Sequence, residues 1–192
     1  MASYGDNYAC ILRIWVVEYV WDKDKKGRFE LNTGLEKRKH TCCFSGHRPE
    51  KLIRSEAQIK TTLETEIRRS VNDGFTMFIS GMARGVDVWG AEIVLRLRDE
   101  GFPIKLICAV PFEGFERSQS ADDKARYNHI ISFADEVVYV SSHYYRACFQ
   151  IRNKWMVDRS SRVIAIYDGE KGGTKNTIDY ASQTGVEIVL AI

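Results

Sequence analysis

From residue 41 to the end, short apolar runs alternate with longer stretches whose apolar residues recur on a helical period. The first run, 41–44, closes in Ser45-Gly46-His47-Arg48-Pro49. Ile59, Leu63, Ile67 and Val71 follow at i, i+4 spacing and predict an amphipathic helix that stops near Gly74. A second strand is expected over 75–79, ending in Ser80-Gly81-Met82-Ala83-Arg84-Gly85. The next helix turns Val86, Gly90, Ile93, Val94 and Leu97 inward and stops at Gly101. A third strand spans 103–110, and a polar stretch over 112–120 leads to a helix over 122–133. Strands at 136–140, 162–167 and 186–190 alternate with helices at 148–159 and 174–183; a loop with Tyr144 and Tyr145 precedes the first of these helices.

Strands of this length, apolar almost throughout and separated by amphipathic helices, imply parallel pairing through right-handed crossovers. The expected fold class is α/β: a Rossmann-like, doubly wound, mostly parallel sheet with helices on both faces, over residues 41–192. Residues 1–40 follow a different pattern. An apolar, β-branched and aromatic run from Ile11 to Trp21 is followed by Asp22-Lys23-Asp24-Lys25-Lys26-Gly27 and then Arg28-Phe29-Glu30-Leu31. Strand, polar glycine-containing turn and strand predict an N-terminal β-hairpin appendage, joined to the main domain by a charged linker over 36–40. The hairpin would dock on the domain or on a second copy; a partly ordered leader is the alternative.

Composition narrows the function classes. Lys and Arg number 28 against 26 Asp and Glu in 192 residues, so no global basic field points to nucleic acid. The five cysteines are an odd number without a C-x-x-C pair, and Cys42, Cys43 and Cys108 fall in strand-like runs. Reduced structural thiols, and hence a cytoplasmic location, are expected. The apolar run from Cys10 to Trp21 is broken by Arg13 and Glu18 and falls short of the roughly 20 residues a bilayer span needs. It also has no basic region before it and no small-residue cleavage site after it, so a soluble protein without a membrane role is expected. His40, His47, His129 and His143 are scattered without ligand spacing, so neither a metal site nor a cofactor is expected. A Gly-x-Ser-x-Gly elbow and a Walker-type lysine are both missing from the sequence.

In doubly wound sheets ligands bind beyond the carboxyl ends of the strands, and three of these ends carry unusual residues. Ser45, Gly46, His47 and Arg48 combine close backbone approach, a hydroxyl and a guanidinium fork suited to phosphate, although a plain strand-to-helix turn fits them too. Ser80, Gly81, Arg84 and Gly85 bracket a turn that opens a helix, where Asp87 either accepts from a ribose hydroxyl or complements the helix dipole. Gly172, Gly173 and Thr174 again join a glycine turn to a helix N-terminus, and Thr177 follows on the same helix. Arg152 and Asn153, on the helix at 148–159, either reach the same crevice or lie on a solvated face.

Together these motifs resemble the SLOG superfamily, named for the Smf/DprA and Lonely Guy proteins, and within it the YpsA-like branch. The matching residues are Cys42 to Pro49, Ser80 to Asp87, Arg152-Asn153 with Met156-Val157-Asp158, and Gly172-Gly173-Thr174 with Thr177. The resemblance covers about residues 41–192 and implies binding of a phosphorylated nucleotide or a nucleotide-derived, ADP-ribose-like ligand, as a sensor or sequestering module. It also implies a homodimer or higher homo-oligomer, for which Trp15, Tyr19 and Trp21 are candidate interface residues. Lonely Guy enzymes cut the N-glycosidic bond of nucleoside 5′-monophosphates, with an Arg helix and a Pro-Gly-Gly-x-Gly-Thr-x-x-Glu motif. Arg152 matches that Arg, but Thr177 stands where the Glu would be. Ribosyl cleavage needs a carboxylate to orient water beside an oxocarbenium-like centre, and a threonine hydroxyl does this poorly. Binding is therefore the first expectation. A phosphoribohydrolase is the alternative, with Arg152 and Asp87 as catalytic candidates and Asp179 as a further carboxylate. Residues 80–87 also resemble the corresponding stretch of the DNA-processing protein, making single-stranded DNA binding a second alternative. The near-neutral charge, and the absence of a basic stripe with interleaved aromatics, speak against it.

Overall fold

The computed structural model describes residues 19–20, 30–31 and 34–191. Its centre is a six-stranded sheet in the order β6-β5-β4-β3-β7-β8, with every pair parallel. The strands are β3 (Thr41–Gly46), β4 (Met77–Ser80), β5 (Lys105–Val110), β6 (Glu136–Tyr139), β7 (Arg162–Ile166) and β8 (Glu187–Leu190). Between them run α2 (Glu56–Asn72), α3 (Val86–Asp99), α4 (Ala121–Phe133), α5 (Cys148–Asp158) and α6 (Gly173–Gln183).

The central strands are buried on both faces, which explains their unbroken apolar runs. Side chains alternate between two cores. Cys42, Phe44, Phe78, Leu106, Cys108 and Ile164 join Ile59, Leu63 and Ile67 of α2, Val94 and Leu97 of α3 and Ile130 of α4. Cys43, Ile79, Ile107, Ala109, Val163 and Ala165 join Met156 and Val157 of α5 and Ala181 of α6. The sheet is thus wound on both sides. Val71 is only partly buried, and Ser70 takes the buried place beside Ile67.

Two strand starts fall later than the apolar pattern suggested. Phe75 closes the end of α2, its N–H donating to Ser70 O at 3.0 Å, so pairing of β4 begins at Met77. Pro103 has no N–H to offer a ladder, and β5 begins at Lys105. Local chemistry fixes the helix starts. Ser55 and Gln58 form a reciprocal capping box on α2, with Ser55 N–H donating to Gln58 Oε1 at 2.9 Å.

The charged linker expected over 36–40 is instead largely helical, α1 (Gly34–Lys39). It lacks an apolar face but carries Glu36 in its first turn and Lys37, Arg38 and Lys39 in its last, matching the helix dipole. Arg38 Nε donates to Ser160 O at 3.0 Å and Thr41 Oγ1 donates to Lys37 O at 2.6 Å, tying it to the sheet. In the appendage, β1 (Tyr19–Val20) and β2 (Glu30–Leu31) pair antiparallel, Tyr19 opposite Leu31. The turn at 22–27 and the side chains of the candidate interface residues Trp15, Tyr19 and Trp21 lie outside the described residues. Among the described residues no helix is long and apolar enough to cross a membrane.

Candidate functional site

Strand order reverses at β3, which has β4 on one side and β7 on the other. A crevice beyond the carboxyl ends of these strands is the expected ligand position in such a sheet. The structure has a cleft of about 710 Å³ there, reached by the loops after β3, β4, β5 and β7 and by one face of α5.

The last two residues of β3, Ser45 and Gly46, and the two that follow, His47 and Arg48, all line it. Gly46 is required by packing, because a Cβ there would stand 2.5 Å from Val86 Cβ on α3. His47 is 4% exposed, with Nε2 2.9 Å from Asp168 Oδ1. The ring nitrogen is close enough for an ion pair but not aligned for a hydrogen bond, so Nε2 has no hydrogen-bond partner. Arg48 is exposed at the mouth.

At the end of β4 the motif divides. Arg84 and Asp87 line the cleft, whereas Ser80, Gly81 and Gly85 shape its wall from behind. Ser80 Oγ donates to Asp87 O at 2.8 Å and accepts from Met82 N–H at 3.1 Å. Gly81 N–H donates to Asp87 Oδ1 at 3.0 Å. A side chain at Gly81 would drive into the Arg152 guanidinium and come within 2.6 Å of Asp87 Oδ1. Gly85 starts α3 with φ of 90°, a conformation that favours glycine. Arg84 is half-exposed and held by carboxylates, its Nε 3.1 Å from Asp123 Oδ2 and its Nη2 3.6 Å from Glu50 Oε2.

After β7, Gly172, Gly173 and Thr174 line the cleft, and the N-terminus of α6 has no side-chain cap. Its first N–H groups lack partners within the helix. Thr177 sits one turn further in and does not reach the cleft, because its Oγ1 donates to Gly173 O at 2.9 Å. Asp179 is paired with Lys175 at 2.6 Å, and Asp158 accepts from Tyr180 OH at 2.8 Å; neither lines the cleft.

Arg152 and Asn153 complete the wall. Arg152 lies deeper than a solvated-face reading allows, at 4% exposure. Its Nε donates to Asn153 Oδ1 at 2.8 Å, while its Nη1 is buried without a hydrogen-bond partner. Burial pulls the guanidinium below its usual pKa, against the charge of Asp87. Burial also pushes the Asp87 carboxyl up to about 6, held back by the charge of Arg152 and the N–H of Gly81.

The sequence reading missed the far wall: Phe115, Ser118, Gln119, Ser120 and Asp123 after β5, and Phe149 on α5. Glu50 and Lys51 were missed as well. No glycine motif marks these positions, and the one available signal was Phe112 and Phe115 in an otherwise polar stretch. Among the described residues no group of three His, Cys, Asp or Glu side chains is placed to hold a metal ion. Cys42, Cys43, Cys108 and Cys148 are free and buried, and burial pushes the Cys43 thiol up to about 12.

An all-parallel doubly wound sheet with a cleft at its reversal point defines a Rossmann-like α/β protein. More specifically, the chain belongs to the YspA SLOG family, whose model (YpsA) matches residues 42–187. It is 34% identical over 119 residues to the uncharacterized SPbeta prophage-derived protein YoqJ of Bacillus subtilis, covering 56% of this chain and 70% of that protein. It is 30% identical over 132 residues to a UPF0398 protein of Bacillus thuringiensis, covering 68% of this chain and 72% of that one. Among solved structures, DNA processing protein A from Streptococcus pneumoniae superposes with a TM-score of 0.56 at 16% identity over 81% of this chain. The Helicobacter pylori protein of the same name, described for its single-stranded DNA binding mode, gives 0.57 at 16% identity, also over 81%. The matches take in 50% and 66% of those two proteins, so this chain spans about half the length of the first and just under two thirds of the second. At that identity the likeness is one of fold.

Proposed function

We propose that the cleft binds a phosphorylated nucleotide or nucleotide-derived ligand of the ADP-ribose type, and that the protein senses or sequesters it. The observation that carries this reading is the buried Arg152 Nη1, left without a hydrogen-bond partner in the same cleft as the uncapped N-terminus of α6. A buried donor without a partner costs about 1–3 kcal/mol, and more when charged. A phosphate oxygen would satisfy it and would gain from the helix N–H groups and dipole as well. Asp87 would accept from the ribose hydroxyls. Free buried thiols suit a reducing cytoplasm.

Calorimetry with AMP and ADP-ribose tests the reading, with light scattering to report any pairing of copies. A Cβ at Gly173 would meet only Asn153 Nδ2, at 4.0 Å, so Gly173→Val is expected to fold normally while its side chain fills the space where the anion would sit. Loss of binding at least ten-fold supports the cradle. Unchanged affinity overturns it.

One observation favours nucleoside-monophosphate hydrolysis as a second reading. Asp87, with its carboxyl at about 6, is a cleft-lining carboxylate near the neutral range that a water-orienting group needs. Sustained release of free base from AMP, abolished by Asp87→Asn, would establish turnover. Strand binding of the kind named for the Helicobacter protein is disfavoured because Glu50, Asp87 and Asp123 offset Arg48, Lys51, Arg84 and Arg152 in the cleft. Salt-dependent retention of single-stranded DNA at physiological ionic strength would restore it.

A further inference from the structure

One end of the cleft is unlike the rest. Phe112, Phe115, Tyr144 and Phe149 form a mutual edge-to-face cluster, with Phe115 and Phe149 centroids 6.0 Å apart and Phe112 and Phe149 6.1 Å apart. Phe115 and Phe149 both line the cleft and are only half-buried, and Tyr144 is 62% exposed at the rim. Aromatic rings that pack each other and still face an open cleft leave apolar surface uncovered, which favours a flat apolar occupant.

The position of these rings along the cleft follows from α5. Asn153 faces the anion end, its Nδ2 being the atom nearest to where a Gly173 Cβ would stand. Phe149 lies four residues earlier, a rise of about 6 Å at about 1.5 Å per residue. Arg152, and through it Asp87, lies between. The strand order agrees, since β5, which delivers Phe115, is three strands from β7, which delivers Gly173. At about 4.8 Å per strand that is a span of about 14 Å.

We infer that the Phe115–Phe149 wall is a nucleobase subsite, and that the cleft selects nucleoside phosphates over sugar phosphates that lack a base. The inference rests on the anion cradle proposed above. The base stacks on the aromatic wall, with Ser118 and Gln119 within the same cleft to meet its polar edge. The ribose passes Asp87, and the phosphate reaches Arg152 Nη1, Gly173 and Thr174. Stacking on aromatic rings is tolerant of base identity, so all four common bases are accommodated and the neighbouring polar side chains set the preference.

The test compares AMP, GMP, CMP and UMP with ribose 5-phosphate by calorimetry on wild type, Phe149→Leu, Phe115→Leu and Phe149→Tyr. At least one nucleotide is expected to bind wild type ten-fold or more tightly than ribose 5-phosphate. Either leucine variant should bring that nucleotide to the level of ribose 5-phosphate without changing affinity for the sugar phosphate, and Phe149→Tyr should keep the advantage. Thermal melts confirm that each variant is folded, and having two leucine variants keeps the test open if one is not. Equal binding of nucleotides and ribose 5-phosphate by wild type overturns the subsite but leaves the anion cradle standing. So does a leucine variant that weakens both ligands equally. Failure of every one of these phosphates to bind folded wild type overturns the cradle and the subsite together.

Discussion

Arg152→Met probes the electrostatics of the cleft without any ligand. In the wild type the Asp87 carboxyl titrates at about 6 against an ordinary 3.8. That shift of about two units makes the ionised carboxylate cost the folded state about 3 kcal/mol at neutral pH. Because the folded pKa is raised, the native state holds the proton more tightly than the unfolded chain. The stability this contributes is fully present below about 3.8 and is lost as pH rises through 6. Arg152 is the strongest influence pulling this pKa down, so methionine in its place moves the window of loss higher still.

Two magnitudes follow. At pH 7 the variant can lose only about 1 kcal/mol more than wild type through Asp87, since above that cost the carboxyl takes up a proton. This lies well below the roughly 3–5 kcal/mol of a broken buried pair whose remaining charge cannot neutralise itself. Methionine also keeps the apolar volume of the arginine stem and removes the unpartnered Nη1. Between pH 5 and pH 7 wild type should lose about 1 kcal/mol through this carboxyl, and the variant about 1 kcal/mol more. Urea unfolding of both proteins at pH 5, 6 and 7 measures the difference, in which the other titrating groups cancel. Parallel stability curves for the two proteins would refute the assigned coupling, as would a loss above 3 kcal/mol at pH 7.

Three further substitutions test other parts of the structure. Gly90→Ala places a Cβ 2.9–3.0 Å from three ring carbons of the buried Phe44, so overpacking of about 1–3 kcal/mol is expected in urea melts; an unchanged midpoint contradicts the close approach. Ser55→Ala removes the capping box of α2 and should cost about 1 kcal/mol by the same measurement, with no loss if the cap is unimportant. Thr177→Val removes a hydroxyl bonded to Gly173 O within the helix. It should change AMP affinity less than three-fold in calorimetry, whereas a ten-fold loss would mean that Thr177 touches the ligand.

The fold was legible because buried parallel strands write themselves as apolar runs and their helices as i, i+4 faces, as with 41–44 before Ile59, Leu63 and Ile67. The α1 helix was not legible, since a charged six-residue segment with no buried residue shows no period, and its anchors, Ser160 O among them, are remote in sequence. The glycine-rich strand ends marked the end of the sheet where the cleft lies, but not the division of labour within each motif. Ser80, Gly81 and Thr177 share their motifs with cleft-lining residues yet spend their polar groups on neighbouring backbone or on Asp87. Likewise, a helical period places Arg152 on a face but says nothing of its depth. The contribution of 115–123 became visible only with the strand order, which brings the loop after β5 round to the cleft.

The pairing of β3 with β7 has a consequence for how this protein is made. Cys42 sits opposite Arg162 and Gly46 opposite Ile166, partners about 120 residues apart. As the chain leaves the ribosome, β3, β4 and β5 can assemble early, while one edge of β3 stays open until the last strands arrive. Both Arg152 and the Gly172–Thr174 turn are synthesised late, so the half of the cleft they supply is missing until then. A chain halted or clipped before residue 160 therefore exposes a sticky strand edge and lacks the Gly172–Thr174 wall of the cleft. The cleft walls are thus complete only once residue 174 has been made and β7 has paired with β3.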